Sequence, residues 1–227
     1  MRNFTLDGRL SSAGKFVRRG AVFADIGTDH GYLPLSLLEG GVIERAVCSD
    51  INEGPLGSAI ENARECGLAH KCRFVLTDGA AALSNEGITD LAICGMGGEL
   101  IADIIEKAPF LRDTGVRLIL QPMSRQAKLR QYLAGCGFDI IAEDYSHSQG
   151  KYYLTVAAEF SGVPYSLSTV EAHFGKEKFL LPISECCRGY LNAKRKALKR
   201  SFDGKTLGGE DTAEEERLLE YLDKILR

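Results

Sequence analysis

The stretch FADIGTDHGYLPL, Phe23 to Leu35, sets two carboxylates, Asp25 and Asp29, around a turn punctuated by Gly27 and Gly31. A strand that enters a glycine turn and then a helix presents backbone N–H groups to a ligand, and phosphates commonly take that place. Asp29 argues against a phosphate here, because a pair of like charges ~4 Å apart costs on the order of 4 kcal/mol at an effective dielectric of 20. A ligand with cationic groups and no phosphate would be attracted instead. Other candidate groups also end apolar runs. Asp50, followed by Ile51, closes RAVCSD and is placed to bind both hydroxyls of a ribose. Asp78 with Gly79 closes CRFVLTD and offers a carboxylate acceptor and a backbone N–H to a nucleoside base. Cys94, Gly95 and Met96 close LAICG and open a glycine-rich turn, where backbone can approach a ligand closely.

These residues need a scaffold that brings strand ends together. AVFADI, RAVCSD, CRFVLTD, LAICG and RLILQP read as short buried strands. Between and after them, YLPLSLLEGG, NEGPLGSAIENARECG, GELIADIIEKA and RQAKLRQYLAGCG read as helices, with Pro55 near a helix start and Gly67 past its end. Strands alternating with helices predict right-handed crossovers and a parallel sheet covered on both faces. FDIIAEDYSHS and KYYLTVAAEF then alternate apolar and polar residues around QG, which predicts an antiparallel hairpin. The expected fold is α/β, Rossmann-like, with a mainly parallel seven-stranded sheet ending in that hairpin. Many S-adenosylmethionine-dependent methyltransferases share this arrangement, although fold alone does not set function. S-adenosylmethionine carries a sulfonium and an ammonium and no phosphate, so it suits Asp29 where NAD does not.

At SGVPYSLS the composition shifts, which divides the chain into a cofactor-binding domain, 1–162, and a helical domain, 163–227. Ile183, Cys187, Tyr190, Leu191, Leu198 and Phe202 recur at helical spacing. FDGKTLGGED is expected to break that helix, Thr212 with Glu215 to form a capping box, and Leu218, Leu219, Leu222, Ile225 and Leu226 to form the stripe of a second helix in a coiled-coil-like hairpin. The formal net charge of −3 predicts no bulk attraction to nucleic acid, but Arg188 to Lys205 holds seven basic residues against one acidic. Arg188, Lys194, Arg195, Lys196, Lys199 and Arg200 are expected to form one basic face for phosphates, with Arg18 and Arg19 extending it. The seven cysteines include no C-x-x-C pair and read as reduced thiols, and the histidines lack paired spacing, so no metal is expected. No apolar run approaches the ~20 residues of a bilayer span, which predicts a cytoplasmic protein.

ADIGTDHGYLP, CGMGGELI, LILQP and the GKYY hairpin, in this order and spacing, resemble the bacterial tRNA adenine-22 N1-methyltransferase family. LDGRL at the start and the C-terminal helices extend the resemblance over nearly the whole chain. It implies a class I methyltransferase fold, S-adenosylmethionine as donor, tRNA as substrate, and a helical domain assisting tRNA binding. Where the general pattern D-x-G-x-G-x-G has its middle glycine, this chain has Asp29, which is a feature of the family. Gly31 takes a place where alanine is equally expected. With N1 as the nucleophile no deprotonation is needed, and a fixed carboxylate would stabilise the ring as it becomes cationic. Asp29 is the candidate for that role, with Tyr32 and Met96 as candidate contacts to the target base. Cofactor contacts are expected from Arg9, Asp25, Gly27, Asp29, His30, Gly31, Asp50, Ile51, Asp78, Gly79, Cys94 and Gly95. Substrate contacts are expected from Gln121, Pro122, Lys194, Arg195, Lys199 and Arg200, on a monomer or weak dimer. Another RNA, another base nitrogen, or a nicotinamide-dependent oxidoreductase are the alternatives.

Overall fold

The computed structural model describes residues 5–113 and 115–227. Among these, strands β1 (Ala21–Ile26), β2 (Ile43–Asp50), β3 (Cys72–Leu76), β4 (Asp90–Gly97), β5 (Arg117–Ser124), β6 (Phe138–Ser148) and β7 (Lys151–Phe160) form one sheet in the order β3-β2-β1-β4-β5-β7-β6. The pairs from β3 through β5 are parallel, while β7 runs antiparallel to both β5 and β6. Gln149 and Gly150, with φ of 48° and 73°, turn the β6–β7 hairpin as its sequence predicts. The strand order reverses at β1 and β4, so their carboxyl ends frame the crevice where such sheets bind ligands.

Alternation along the strands sends Ala24, Ile26, Leu91, Ile93, Leu118 and Leu120 to one face and Phe23, Ala92 and Ile119 to the other. Helices α1 (Gly8–Gly14) and α2 (Tyr32–Glu39) join the second face. On the first face lie α4 (Gly98–Glu106) and α5 (Gln126–Gly135), while α3 (Glu53–Glu65) packs beside β2 and β3. The α1 turn was not legible in the sequence. Asp7 caps it by accepting from Leu10 N–H at 2.8 Å, and Ser12 and Lys15 bond Asp144 on β6 at 2.9 and 2.7 Å. Gly8 lies so near the His147 carbonyl that a side chain would collide with it.

Beyond β7 the segment at the expected domain boundary is coil, laced to the end of α5 and the turn into β6 by Ser161 and Gly162 N–H bonds to Gly137 O and by Tyr165 N–H to Ala134 O. Helices α6 (Thr169–Phe174) and α7 (Glu177–Leu180) follow, then α8 (Glu185–Gly208) and α9 (Ala213–Ile225). Cys187, Tyr190, Leu191, Leu218 and Leu222 bury themselves in the same cluster as the sheet's first face. Two expectations fail here. FDGKTLGGED does not break the helix: α8 continues through Gly204 because Ser201 and Lys205 both bond Glu215 of α9, at 3.0 and 2.8 Å. That tertiary anchor outweighs the ~1 kcal/mol helix penalty of a glycine, and the helix stops at Gly209, φ 71°. Glu215 therefore faces inward, and the Thr212 capping box is absent; Asp211 accepts from Ala213 N–H at 3.0 Å instead. Among the described residues no helix is long and apolar enough to cross a membrane.

Candidate active site

At the carboxyl ends of β1 and β4 a cleft of about 690 Å³ is lined by Arg9, Asp25, Gly27, Asp29, Tyr32, Asp50, Ile51, Asp78, Gly79, Cys94, Gly95 and Met96. Its turn is built from the glycine loop: Gly27 and Thr28 N–H groups both donate to Ser49 O at 2.9 Å, which ties β1 to β2. Thr28 then folds its hydroxyl back onto Asp25 Oδ2 at 2.8 Å. Gly27, at φ 74°, takes a backbone conformation that strains any other residue, and a Cβ there would lie 2.5 Å from the Met96 methyl and push it aside. Met96 thus roofs the loop that Gly27 opens.

The carboxylates differ in setting. Burial pushes the Asp25 carboxyl up to about 6; the Thr28 bond opposes the rise and the Asp50 charge adds to it. Asp50 is buried and held by Asn52 N–H, which donates to Oδ1 at 2.8 Å. Asp29 is 73% exposed, with His30 Nε2 at 3.4 Å. Burial also lifts the Cys94 thiol far above its ordinary range, so it remains protonated and is no nucleophile. Arg9 reaches in from α1, paired with Asp7 at 3.5 Å, its guanidinium over Gly95.

Several expected site residues lie elsewhere. The His30 ring stacks on Tyr32, its carbonyl accepts from Asn62, and it falls outside the lining. Gly31 is likewise outside it; at φ 70°, with a Cβ there only 3.2 Å from Ala59 Cβ, it is not a position equally open to alanine. Gln121 and Pro122 are buried beneath the cleft, so neither reads a base edge. Lys194 faces the body: its ammonium donates to Gln126 Oε1 at 2.9 Å above the Tyr190 ring, and burial, then the Arg130 charge, bring it down to about 8. At 100° per residue it points about 200° away from Lys196, so the six basic residues do not share one face. Lys196, Lys199 and Arg200 are exposed; Arg195 and Lys199 pair with Asp223 and Asp203 at 2.6 and 2.8 Å. Arg18 is at the other end of the sheet, bonded to the buried Asp90 at 2.8 Å, and extends no basic face.

The sequence reading missed Asp7, Thr28, Asn52, Leu100 and Ile104, which also line the cleft. Leu100 and Ile104, one turn apart behind the Gly97–Gly98 turn, carried a readable signal; Asp7 did not. Among the described residues no cluster of acidic, histidine and cysteine side chains is fit for a metal ion. Among the described residues the lining holds five carboxylates, Asp7, Asp25, Asp29, Asp50 and Asp78, against one cation, Arg9. That balance fits a nucleoside ligand bearing positive charge and disfavours a pyrophosphate.

The description "Methyltransferase domain" matches residues 6–156. The tRNA (adenine(22)-N(1))-methyltransferase of Bacillus subtilis is 32% identical over 159 residues, which span 70% of this chain and 67% of that protein. The chain belongs to this methyltransferase family. Among solved structures, Streptococcus pneumoniae Sp1610 in complex with S-adenosyl-L-methionine is 31% identical with a TM-score of 0.85, covering 98% of this chain and 100% of that one. The B. subtilis m1A22 tRNA methyltransferase TrmK superposes with a TM-score of 0.76 at 26% identity, covering 98% of this chain and 96% of that chain. Both alignments run past the sheet through the C-terminal helices.

Proposed function

We propose that the protein transfers a methyl group from S-adenosylmethionine to N1 of an adenine in tRNA, position 22 by its relatives. The observation that carries this reading is the cleft at the β1/β4 switch point, lined among the described residues by five carboxylates and one arginine. The bound donor would supply an electrophilic methyl carbon on a sulfonium. Asp50 and Ile51 would hold its ribose, Asp78 and Gly79 its base, and Asp25 with the Gly27 and Gly95 turns its cationic end. Asp29, exposed at the mouth, is left for the substrate: its fixed negative charge favours a ring that gains positive charge as the methyl arrives. Tyr32 and Met96, which line the same cleft, would bracket the base. Since the N1 lone pair needs no base, most of the rate must come from positioning.

A base in a folded tRNA must be unstacked before it reaches this cleft, at a cost of a few kcal/mol. The exposed Lys196, Lys199 and Arg200, with Arg195, would hold phosphates while that happens. The protein would act as a cytoplasmic monomer or weak dimer. The test is incubation with labelled donor and bulk bacterial tRNA, followed by nucleoside analysis. N1-methyladenosine is expected; a different methylated nucleoside would redirect the substrate, and heat on titration with NAD but not with S-adenosylmethionine would overturn the cofactor.

A further inference from the structure

β4 and β5 stay in parallel register up to Cys94 opposite Gln121, and then the register shifts to put Met96 opposite Pro122. Gly95 is the extra residue, with φ 80° in the left-handed region. The ladder fails there: the bulge takes Gly95 out of step and leaves its N–H without a ladder carbonyl, while Pro122 separately has no N–H to give to β4. A side chain replaces the missing partner. The Gly95 N–H donates to Gln121 Oε1 at 3.0 Å, while Gln121 Nε2 faces Met123 Sδ at 3.5 Å. Gln121 is 0% exposed, so its amide serves the protein's own backbone and not a ligand. Above this bond the site is tight. A Cβ on Gly95 would lie 2.9 Å from Arg9 Nη1, and the neighbouring Met96 methyl already covers Gly27.

We propose that Gln121 is a positioning residue for methyl transfer, whose buried amide stands in for the absent ladder partner and fixes the Cys94–Met96 bulge as the floor of the cleft. The proposal rests on the reading of this cleft as the methyl-transfer site. An apolar side chain of similar size would fill the same space but leave the Gly95 N–H unmet and the bulge free to drift. Because a misplacement of about 1 Å at a reacting centre costs about 100-fold in rate, the bulge has little slack.

The test compares Q121L, which removes the acceptor, with Q121E, which keeps an oxygen in place and whose buried carboxyl stays protonated. At saturating donor, Q121L is expected to lower kcat about 30-fold, with KM for tRNA and Kd for S-adenosylmethionine within about threefold of wild type; Q121E retains kcat within about threefold. If thermal melting shows Q121L unfolded, Q121N withdraws the acceptor by one methylene and carries the same expectation. Wild-type turnover by Q121L or Q121N, loss expressed only in KM for tRNA, or a Q121E as slow as Q121L would each overturn the proposal. Exchange of the Gly95 amide, followed by NMR, separates this proposal from the functional reading: it should be slow in wild type and Q121E and about tenfold faster in Q121L. A wild type with a protected Gly95 amide that makes no methylated nucleoside sinks the functional reading; an unprotected amide in wild type sinks this one.

Discussion

Glu143 and Asp29 are both carboxylates, and the chain treats them in opposite ways. Glu143 is wholly buried: Oε1 meets Arg130 Nε at 2.6 Å, while Oε2 accepts from Arg130 Nη2 and Tyr145 OH, each at 3.0 Å. Arg130 gives both Nη1 hydrogens to the carbonyls of Ala172 and His173, at 3.0 and 3.1 Å. This knot joins α5, β6 and α6, and four of the five Arg130 N–H groups and both Glu143 oxygens are bonded within the protein, so it is built to hold elements together. Asp29 stands 73% exposed beyond the end of β1, with His30 Nε2 at 3.4 Å as its ion-pair partner among the described residues. Buried, paired charge welds the helical segment to the sheet; the exposed charge at the switch point is the one that the proposed function assigns to the substrate.

The contrast breaks most visibly at the knot. E143Q leaves Arg130 buried with its charge unpaired, and urea denaturation should register a loss of about 3–5 kcal/mol. A loss below about 1 kcal/mol would mean that the weld is not what holds the two parts together. D29N should do the reverse, lowering the single-turnover rate about 100-fold while unfolding stability stays within about 0.5 kcal/mol. Unchanged turnover would reduce Asp29 to a loop residue.

Asp25 stands between these extremes, buried like Glu143 yet facing the cleft like Asp29. Its carboxyl titrates near 6 in the folded state against 3.8 in the unfolded chain. The folded state therefore binds more protons between those values, and Asp25 withdraws stability as pH rises through 6, on the order of 3 kcal/mol in all. D25N should accordingly stabilise the protein at pH 8 and lose that advantage by pH 4. A cationic donor prefers the ionised form, so S-adenosylmethionine affinity should fall about tenfold per pH unit below 6 in wild type and stay flat in D25N. Calorimetric titration across pH 5 to 8 checks both signs; the same slope in D25N would assign the proton elsewhere.

What the sequence made legible was local. The strands showed as apolar runs, and the glycine loop with Asp29 and the strand-end carboxylates Asp50 and Asp78 could be placed because each strand's end was itself visible. What stayed hidden depends on partners distant in sequence. Gln121 looked like a pocket residue because nothing local says that its amide answers Gly95, 26 residues away. Gly204 looked like a helix breaker because Glu215, which spans it by bonding Ser201 and Lys205, belongs to the next helix. Lys194 looked like its neighbours because the group that draws it inward, Gln126, lies on another element, 68 residues away in sequence.

Lys194 gives the finest test of the same contrast, since inward-held and exposed charge here share one helix. K194M removes a cation that is already bonded within the protein, whereas the combined K196A, K199A and R200A change removes three from the exposed face. Each phosphate contact adds about 0.7–0.9 to the slope of log affinity against log salt. The triple variant should therefore bind tRNA more weakly, about tenfold near physiological salt, with a slope shallower by about 2, and keep its affinity for S-adenosylmethionine. K194M should leave the salt slope unchanged, because a lysine that never meets phosphate releases no counterion when tRNA binds. If K194M flattens the slope as much as a single exposed lysine does, then α8 must turn or detach to present that face, and the division between spent and available charge would not survive binding.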